Sequence, residues 1–271
     1  PPPSPSIVEL AVASPDLSAL VQAVVATGLD DVLAMEGPFT VVAPKNSAFD
    51  RVDLSELSAE DITDILLYHV IPGQAFAEDL PPKGVLRTAS NQNVLVEVKD
   101  GRVFFTGSEH NTAGVIIADL EASNGVVHVI NRVLMPPPNL PAFLSEFAQF
   151  TTLVTAVDMA GLIGTLDSEG PFTVFAPRNT AFDKVDSLGQ LLEDPMGALK
   201  DILLYHVVPG NVLASDLAPG SVPTALEGAA IQVDLVDNQF VLNGGVHILQ
   251  TDIIAVNGVV QTIDTVMIPP Q

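Results

Sequence analysis

The 271-residue chain is 48% apolar, enough for one or two domains that each bury a core and too much for a disordered acidic tail. Its 33 acidic side chains against 10 basic ones leave a formal net charge of −23, which disfavours nucleic acid and anionic lipid as partners and favours solubility and cationic ones. There is no cysteine, which excludes disulfides, thiolate metal sites and cysteine catalysis, and no run of 18 apolar residues of the kind a membrane-crossing helix needs.

Pro1-Pro2-Pro3-Ser4-Pro5-Ser6 opens the chain. Residues 1–5 read as the stub of a Pro-rich linker, as in a secreted protein whose leader or anchor has been removed. Ser6 is placed to cap a helix over Ile7 to Ala13. Pro15-Asp16 turns into a second helix, with Leu17, Leu20, Val21, Val24 and Val25 at helical spacing and Gly28 as its stop. Leu29, Val32 and Leu33 give one more short turn.

The stretch Gly37-Pro38-Phe39-Thr40-Val41-Val42-Ala43-Pro44-Lys45-Asn46-Ser47-Ala48-Phe49-Asp50-Arg51-Val52 follows. Gly-Pro breaks the helix, Phe39 to Val42 has the apolar character of a buried strand, and Pro44 ends it. Asn46 is placed to cap a short helix carrying Ala48, Phe49 and Val52 on one face. Phe39 and Phe49 are the expected core anchors. Nothing in the stretch is nucleophilic or metal-binding, so it reads as architecture.

Ser58 with Asp61 three residues on forms a capping box for a helix running through Leu67, with Ile62, Ile65, Leu66 and Tyr68 as its apolar stripe. Beyond Pro72-Gly73 the period changes. Val94, Val96 and Val98 alternate with Leu95, Glu97 and Lys99, and Asp100-Gly101 before Val103-Phe104-Phe105 is a hairpin signal. Val115-Ile116-Ile117 and Val126 to Val133 complete the strands, joined by an Asn124-Gly125 turn. Met135-Pro136-Pro137-Pro138 makes a short, stiff junction with a limited range of angles.

The same order then repeats. The sixteen-residue stretch recurs 133 positions later as Gly170 to Val185, identical at 12 of 16 positions, with the four changes (Val/Phe, Lys/Arg, Ser/Thr, Arg/Lys) keeping chemical class. Leu153, Val154, Ala156 and Val157 lie on the second helix of this half, and four extra residues precede its Tyr-His segment. Val233 to Leu242 is its hairpin, with Asp237-Asn238 at the turn. Both halves are acidic: 18 acids and 7 bases in residues 1–138, and 15 and 3 in residues 139–271. The expected organisation is therefore two domains, 6–138 and 139–271. Helices first and strands later in each predict an α+β fold with a mostly antiparallel sheet.

Three motifs in order, twice over, carry a resemblance that covers nearly the whole chain. Thr40-Val41-Val42-Ala43-Pro44-Lys45-Asn46-Ser47-Ala48-Phe49 resembles the first signature of the fasciclin domain, an extracellular adhesion module. Asp64-Ile65-Leu66-Leu67-Tyr68-His69-Val70-Ile71-Pro72-Gly73 and Asp201 to Gly210 resemble its central Tyr-His segment. Asn124-Gly125-Val126-Val127-His128-Val129-Ile130-Asn131 resembles its closing signature. The resemblance implies tandem fasciclin-like domains, each a β-sheet wedge or sandwich with helices packed on it.

Candidates for chemistry are few. The histidines are His69, His110, His128, His206 and His247, and none has a metal-ligand spacing. His128 has Gln261 at its equivalent position, which speaks against a catalytic role. No EF-hand loop, G-x-S-x-G elbow or Gly-rich phosphate loop is present, although an acidic surface leaves weak Ca²⁺ sites open. The reading is a non-enzyme with no cofactor and no resident metal.

What function there is comes from the resemblance. In animal adhesion proteins of the family, an Asp-Ile pair before the closing signature and the Tyr-His segment are proposed receptor contacts. Asp252-Ile253 matches the pair, Asp119-Leu120 departs from it by Leu for Ile, and Tyr68-His69 and Tyr205-His206 match the segment. The plain alternative is structural: Asp252 caps the turn before Asn257-Gly258, and the apolar and aromatic residues belong to the core. The resemblance implies a secreted or surface-displayed binder of extracellular matrix, polysaccharide or cell-surface protein. The alternative is a carrier of an apolar small molecule such as a carotenoid, held in a groove lined by residues such as Phe76, Val85 and Leu86.

Overall fold

The structure is a computed structural model that describes residues 4–52, 57–108, 110–185 and 193–270. The chain divides into two compact units, residues 1–137 and 138–271.

In the first unit, α1 (Ile7–Ala13), a 3₁₀ turn (Pro15–Leu17), α2 (Ser18–Ala26) and α3 (Asp30–Leu33) precede β1 (Phe39–Pro44). Then come α4 (Asn46–Phe49), α5 (Ala59–Tyr68) and β2 (Val70–Pro72). The strands β3 (Lys83–Arg87), β4 (Asn93–Lys99), β5 (Arg102–Thr106), β6 (Thr112–Ala122) and β7 (Gly125–Ile130) close the unit. They form one seven-stranded sheet in the order β2-β1-β7-β6-β5-β4-β3. Every pairing is antiparallel except β1 with β7.

The α+β architecture is thus present, and its logic lies in those two central strands. Every residue of β7 is buried, and a strand covered on both faces reads as a continuous apolar run. On one face Val41, Ala43, Val127 and Val129 pack with Leu17, Leu20, Val24 and Leu66 from the helices. On the other, Val42 and Ile130 pack with Tyr68 of α5 and with Val94, Val96 and Phe105 from the far half of the sheet. Each such aliphatic side chain contributes about 1.5–3 kcal/mol by burial.

Local sequence chemistry starts and stops the elements as expected in several places. Ser6 with Glu9 and Ser58 with Asp61 both form complete capping boxes. Asp100 and Gly101 take φ values of 51° and 71°, as a tight hairpin turn requires. At Gly37, also at positive φ, a Cβ would collide with the Asn124 carbonyl, and Gly170 stands in the same relation to Asn257.

Other readings need correction. Asn46 does not cap α4, whose N-cap is Lys45 with no side-chain bond. Its amide instead accepts the Ala19 N–H at 2.9 Å and donates to the Pro15 carbonyl at 2.9 Å, tying the start of α2 to the start of α4. The strand expected over Val115 to Ile117 runs on to Ala122, because two register shifts let β6 twist along its partner without breaking. The strand expected to Val133 ends at Ile130. The edge strand β3 is half-buried throughout and has no alternating pattern to betray it. Phe39 and Phe49 are only partly buried against the helical core.

The second unit has α6 (Leu140–Glu146), a 3₁₀ turn (Ala148–Phe150), α7 (Thr151–Met159), α8 (Ile163–Leu166), β8 (Phe172–Pro177), α9 (Asn179–Phe182), α10 (Ala198–Tyr205) and β9 (Val207–Pro209). Its remaining strands are β10 (Gly220–Pro223), β11 (Ala230–Val236), β12 (Gln239–Leu242), β13 (Val246–Ala255) and β14 (Gly258–Ile263). The sheet order is β10-β11-β12-β13-β14-β8-β9, again with one parallel pair, β14 with β8. Of the four extra residues expected before its Tyr-His segment, part of the interval falls outside the described residues. The register offset is undone at the next hairpin: seven residues separate the paired Phe105 and Ala113, but three separate Leu242 and Val246.

Candidate functional site

The Tyr-His segment ends α5 with both rings inside the protein. Tyr68 is 1% exposed and its hydroxyl donates to the Asn93 carbonyl of β4 at 2.6 Å. Burial raises its phenol pKa well above the ordinary value. His69 is 2% exposed. Its Nδ1 meets the Ile65 carbonyl at 2.7 Å and its Nε2 meets the Leu134 N–H at 2.9 Å. A carbonyl can only accept and an N–H only donate, so the ring is neutral with its proton on Nδ1. Burial pushes its pKa down to about 4.

Tyr205 and His206 repeat this at the end of α10. The Tyr205 hydroxyl donates to the Ala230 carbonyl at 2.9 Å, and His206 bridges the Ile202 carbonyl at 2.7 Å and the Met267 N–H at 2.9 Å. His206 is likewise held near 4 by burial. With every polar atom of the ring engaged, neither histidine is an acid or base at neutral pH. Both tie the end of a helix to the chain that leaves the sheet.

The Asp-Leu and Asp-Ile pairs sit elsewhere, in a polar clasp that fastens the loop after β2 to the sheet. In the first unit Thr40 of β1 donates to the Gly73 carbonyl at 2.7 Å and accepts the Ala75 N–H at 2.9 Å. His128 of β7 is 0% exposed, and its Nε2 meets the Ala75 carbonyl at 2.9 Å. Its Nδ1 accepts the Asp119 N–H at 3.3 Å. Asp119 stands in the second register shift of β6 with φ 58°, a conformation that suits Asp, Asn and Gly. There its Oδ1 accepts the Ala77 N–H at 2.8 Å and lies 3.9 Å from His128 Nδ1.

The second unit builds the same clasp from different residues. Thr173 holds the Gly210 carbonyl and the Val212 N–H at 2.7 and 2.8 Å. Gln261 takes the place of His128: its Nε2 donates to the Val212 carbonyl and its Oε1 accepts the Asp252 N–H, both at 2.9 Å. Asp252, at φ 60°, receives the Ala214 N–H at 2.7 Å and Gln261 Nε2 at 3.0 Å. It therefore clasps the loop to the sheet. At the Asn257-Gly258 turn, Asn257 accepts the Leu140 N–H and donates to the Leu166 and Ser168 carbonyls.

The two clasps differ in exposure. The Asp119 side chain is 41% exposed, whereas Asp252 is 8% exposed. Leu120 and Ile253 both turn inward and are partly buried against the helical cores. Ile116 and Ile117, just ahead of Asp119, are 48% and 49% exposed. The clasp was out of reach of pattern reading because its partners are 42 and 53 positions apart.

Each unit also has an apolar cleft between its helices and the sheet. In the first, Leu20, Val24, Leu33, Phe39, Leu66 and Val70 line about 470 Å³ including the open mouth, with His69 among the lining residues. The equivalent Leu153, Val157, Leu166, Phe172, Leu203 and Val207 line about 510 Å³ in the second, with His206. Phe76, Val85 and Leu86 line neither cleft. Among the described residues, no group of three or more His, Cys, Asp or Glu side chains is arranged to hold a metal ion. No single helix among them is long and apolar enough to cross a membrane.

The family model of the Fasciclin domain matches residues 15–136 and again residues 148–269. The pig transforming growth factor-beta-induced protein ig-h3 is 31% identical over 249 residues, which is 87% of this chain and 35% of that protein. The chain thus spans about a third of this curated relative. A Synechocystis protein, sll1483, is 39% identical over 139 residues, covering 49% of this chain and 74% of its own length. Among solved structures, a FAS1 domain pair from the insect cell adhesion molecule fasciclin I aligns over 93% of this chain and 96% of its own, with 20% identity and a TM-score of 0.47.

Proposed function

The chain belongs to the fasciclin domain family, and we propose that it is a non-enzymatic, secreted or cell-surface binding protein. Its two modules, residues 6–138 and 139–271, fold independently and contact extracellular matrix, polysaccharide or partner proteins. The observation that carries this reading is the duplication. Both modules keep an equivalent core, the same buried Tyr-His pair and the same clasp. Single contacts of such modules are weak, and two on one chain gain by avidity, ~10²-fold or more where both engage.

Within the site we assign the contact to Asp119-Leu120 and its exposed flank, Ile116 and Ile117. The carboxylate of Asp119 is open to a cationic group, while Asp252-Ile253, the closer match to the family pattern, is sealed by its own clasp. The Tyr68-His69 and Tyr205-His206 pairs act by shaping the core. The test is adhesion of Asp119→Asn and Asp252→Asn to immobilised matrix proteins and glycans, measured beside thermal unfolding. Asp119→Asn weakens binding roughly 10-fold or more, the loss of a charge-assisted contact worth about 1.5–3 kcal/mol. Asp252→Asn leaves it unchanged. Equal adhesion of both variants and the parent sinks the assignment.

The paired apolar clefts favour a second reading, carriage of an apolar small molecule such as a carotenoid. Visible absorbance retained by the purified protein after incubation with carotenoid supports it, and a colourless protein removes it.

A further inference from the structure

We propose that the clasp of the first unit is a proton-operated switch and that the clasp of the second is its locked counterpart. In the neutral state His128 has one arrangement open to it. Nε2 carries the proton and donates to Ala75, and Nδ1 offers its lone pair to the Asp119 N–H. A proton arriving on Nδ1 removes that lone pair and sets two donors against each other. The bond from the Asp119 N–H breaks, and the new Nδ1–H needs an acceptor.

The acceptor stands 3.9 Å away in the Asp119 carboxylate. A buried imidazolium requires such a counter-charge. Closing that gap draws the carboxylate inward from the surface, toward the arrangement of Asp252, whose Oδ1 takes both the loop N–H and Gln261 Nε2. One proton therefore breaks the Asp119 N–H bond, shifts the acceptor of the Ala77 N–H and withdraws the exposed carboxylate.

Few other charges face this ring. Among the described residues Asp119 is its one ionisable partner. Across β1 its register partner is Val42, and in the clasped loop Asp79 is turned to the Phe76 N–H at 3.3 Å. His69 offers no comparable device: its two nitrogens meet backbone groups, with no carboxylate among them. In the second unit Gln261 supplies the same donor and acceptor but has no site for a proton. The switch itself does not depend on the adhesion reading, and only its effect on the displayed carboxylate does.

The test follows backbone amide and imidazole ¹⁵N signals of the full chain between pH 8 and pH 5, the range over which imidazoles change charge. Free imidazole added to the sample serves as an internal reference for proton uptake. The Asp119 and Ala77 amides are expected to move sigmoidally with the His128 ring at one common midpoint, while Asp252 and Ala214 stay flat. His128→Gln should flatten the first unit, and Gln261→His should make Asp252 and Ala214 titrate. The second unit shows that glutamine is tolerated at this position. Flat Asp119 and Ala77 signals across this range would overturn the proposal, as would the same movement persisting in His128→Gln. Adhesion is not read in this experiment, so an absent switch and an absent contact site give separate results.

Discussion

His128 and Gln261 occupy the same point of the same clasp, and each points a donor at the loop carbonyl and an acceptor at the backbone of the aspartate in β6 or β13. A neutral imidazole with its proton on Nε2 and a primary amide are interchangeable in that role. The fold has fixed a hydrogen-bond pattern there, not a residue. Yet the two are not equivalent in what they can become, since only the imidazole takes a proton. The surroundings differ in step: the carboxylate next to His128 reaches the surface, and the one next to Gln261 is enclosed. Duplicated domains can thus share a hydrogen-bond framework and still differ in what each can bind or release.

The largest effect expected of this comparison comes from separating its halves. Cutting at Pro138 should leave two fragments that each unfold cooperatively, because each half holds all the strands of one sheet. Calorimetry of both fragments checks this, and loss of folding in both would mean a shared core.

Next come the motif phenylalanines, which the sequence treats as twins. Phe182 is 3% exposed in the core of its unit, so Phe182→Ala should cost ~3–5 kcal/mol. Phe49 is only partly buried, and Phe49→Ala should cost about half as much, since less surface leaves water. Urea unfolding followed through signals of each half measures both, and equal losses would break the asymmetry.

Acid should then affect the two units alike through His69 and His206. Each has a folded pKa of about 4 against an ordinary value near 6.5. The unfolded chain therefore binds more protons between those limits. Stability from this source is complete above about pH 6.5 and is lost as pH falls toward 4, by roughly 3 kcal/mol per histidine at most. A stability curve flat across that window would remove the buried, neutral assignment.

The smallest effects belong to the clasp aspartates. Asn tolerates the same left-handed backbone and keeps one acceptor, so Asp252→Asn should cost about 1 kcal/mol and Asp119→Asn less. Thermal unfolding resolves the order, and a larger loss at Asp119 would reverse the burial argument.

What the sequence disclosed and what it concealed divide by distance along the chain. The capping boxes at Ser6 and Ser58 and the turns at Asp100-Gly101 and Asp237-Asn238 depend on residues a few positions apart, and all of them form. The resemblance supplied the fold through motifs that repeat in order. Asn46 misled because its type suits a cap, whereas its partners Pro15, Ser18 and Ala19 lie a helix away. The partners of Asp252 were hidden for the same reason, lying in the loop after β9 and on β14. The short edge strand β3 is half-buried throughout and shows no period, while β10 alternates in burial but spells it with Gly, Ser, Val and Pro, which carry no apolar pattern.

The parallel pairing at the middle of each sheet has one more consequence, for the order of events during folding. Phe39 meets Gly125 and Phe172 meets Gly258 across the same span of chain, so the centre of each core joins the first strand of its unit to the last. The antiparallel strands from β3 to β6 join neighbours and close only short loops. Loop-closure entropy and contact order then set a sequence in time: hairpins form early, and the buried central ladder waits for the longest closure between strands. Each unit must be almost wholly synthesised before its middle can exist.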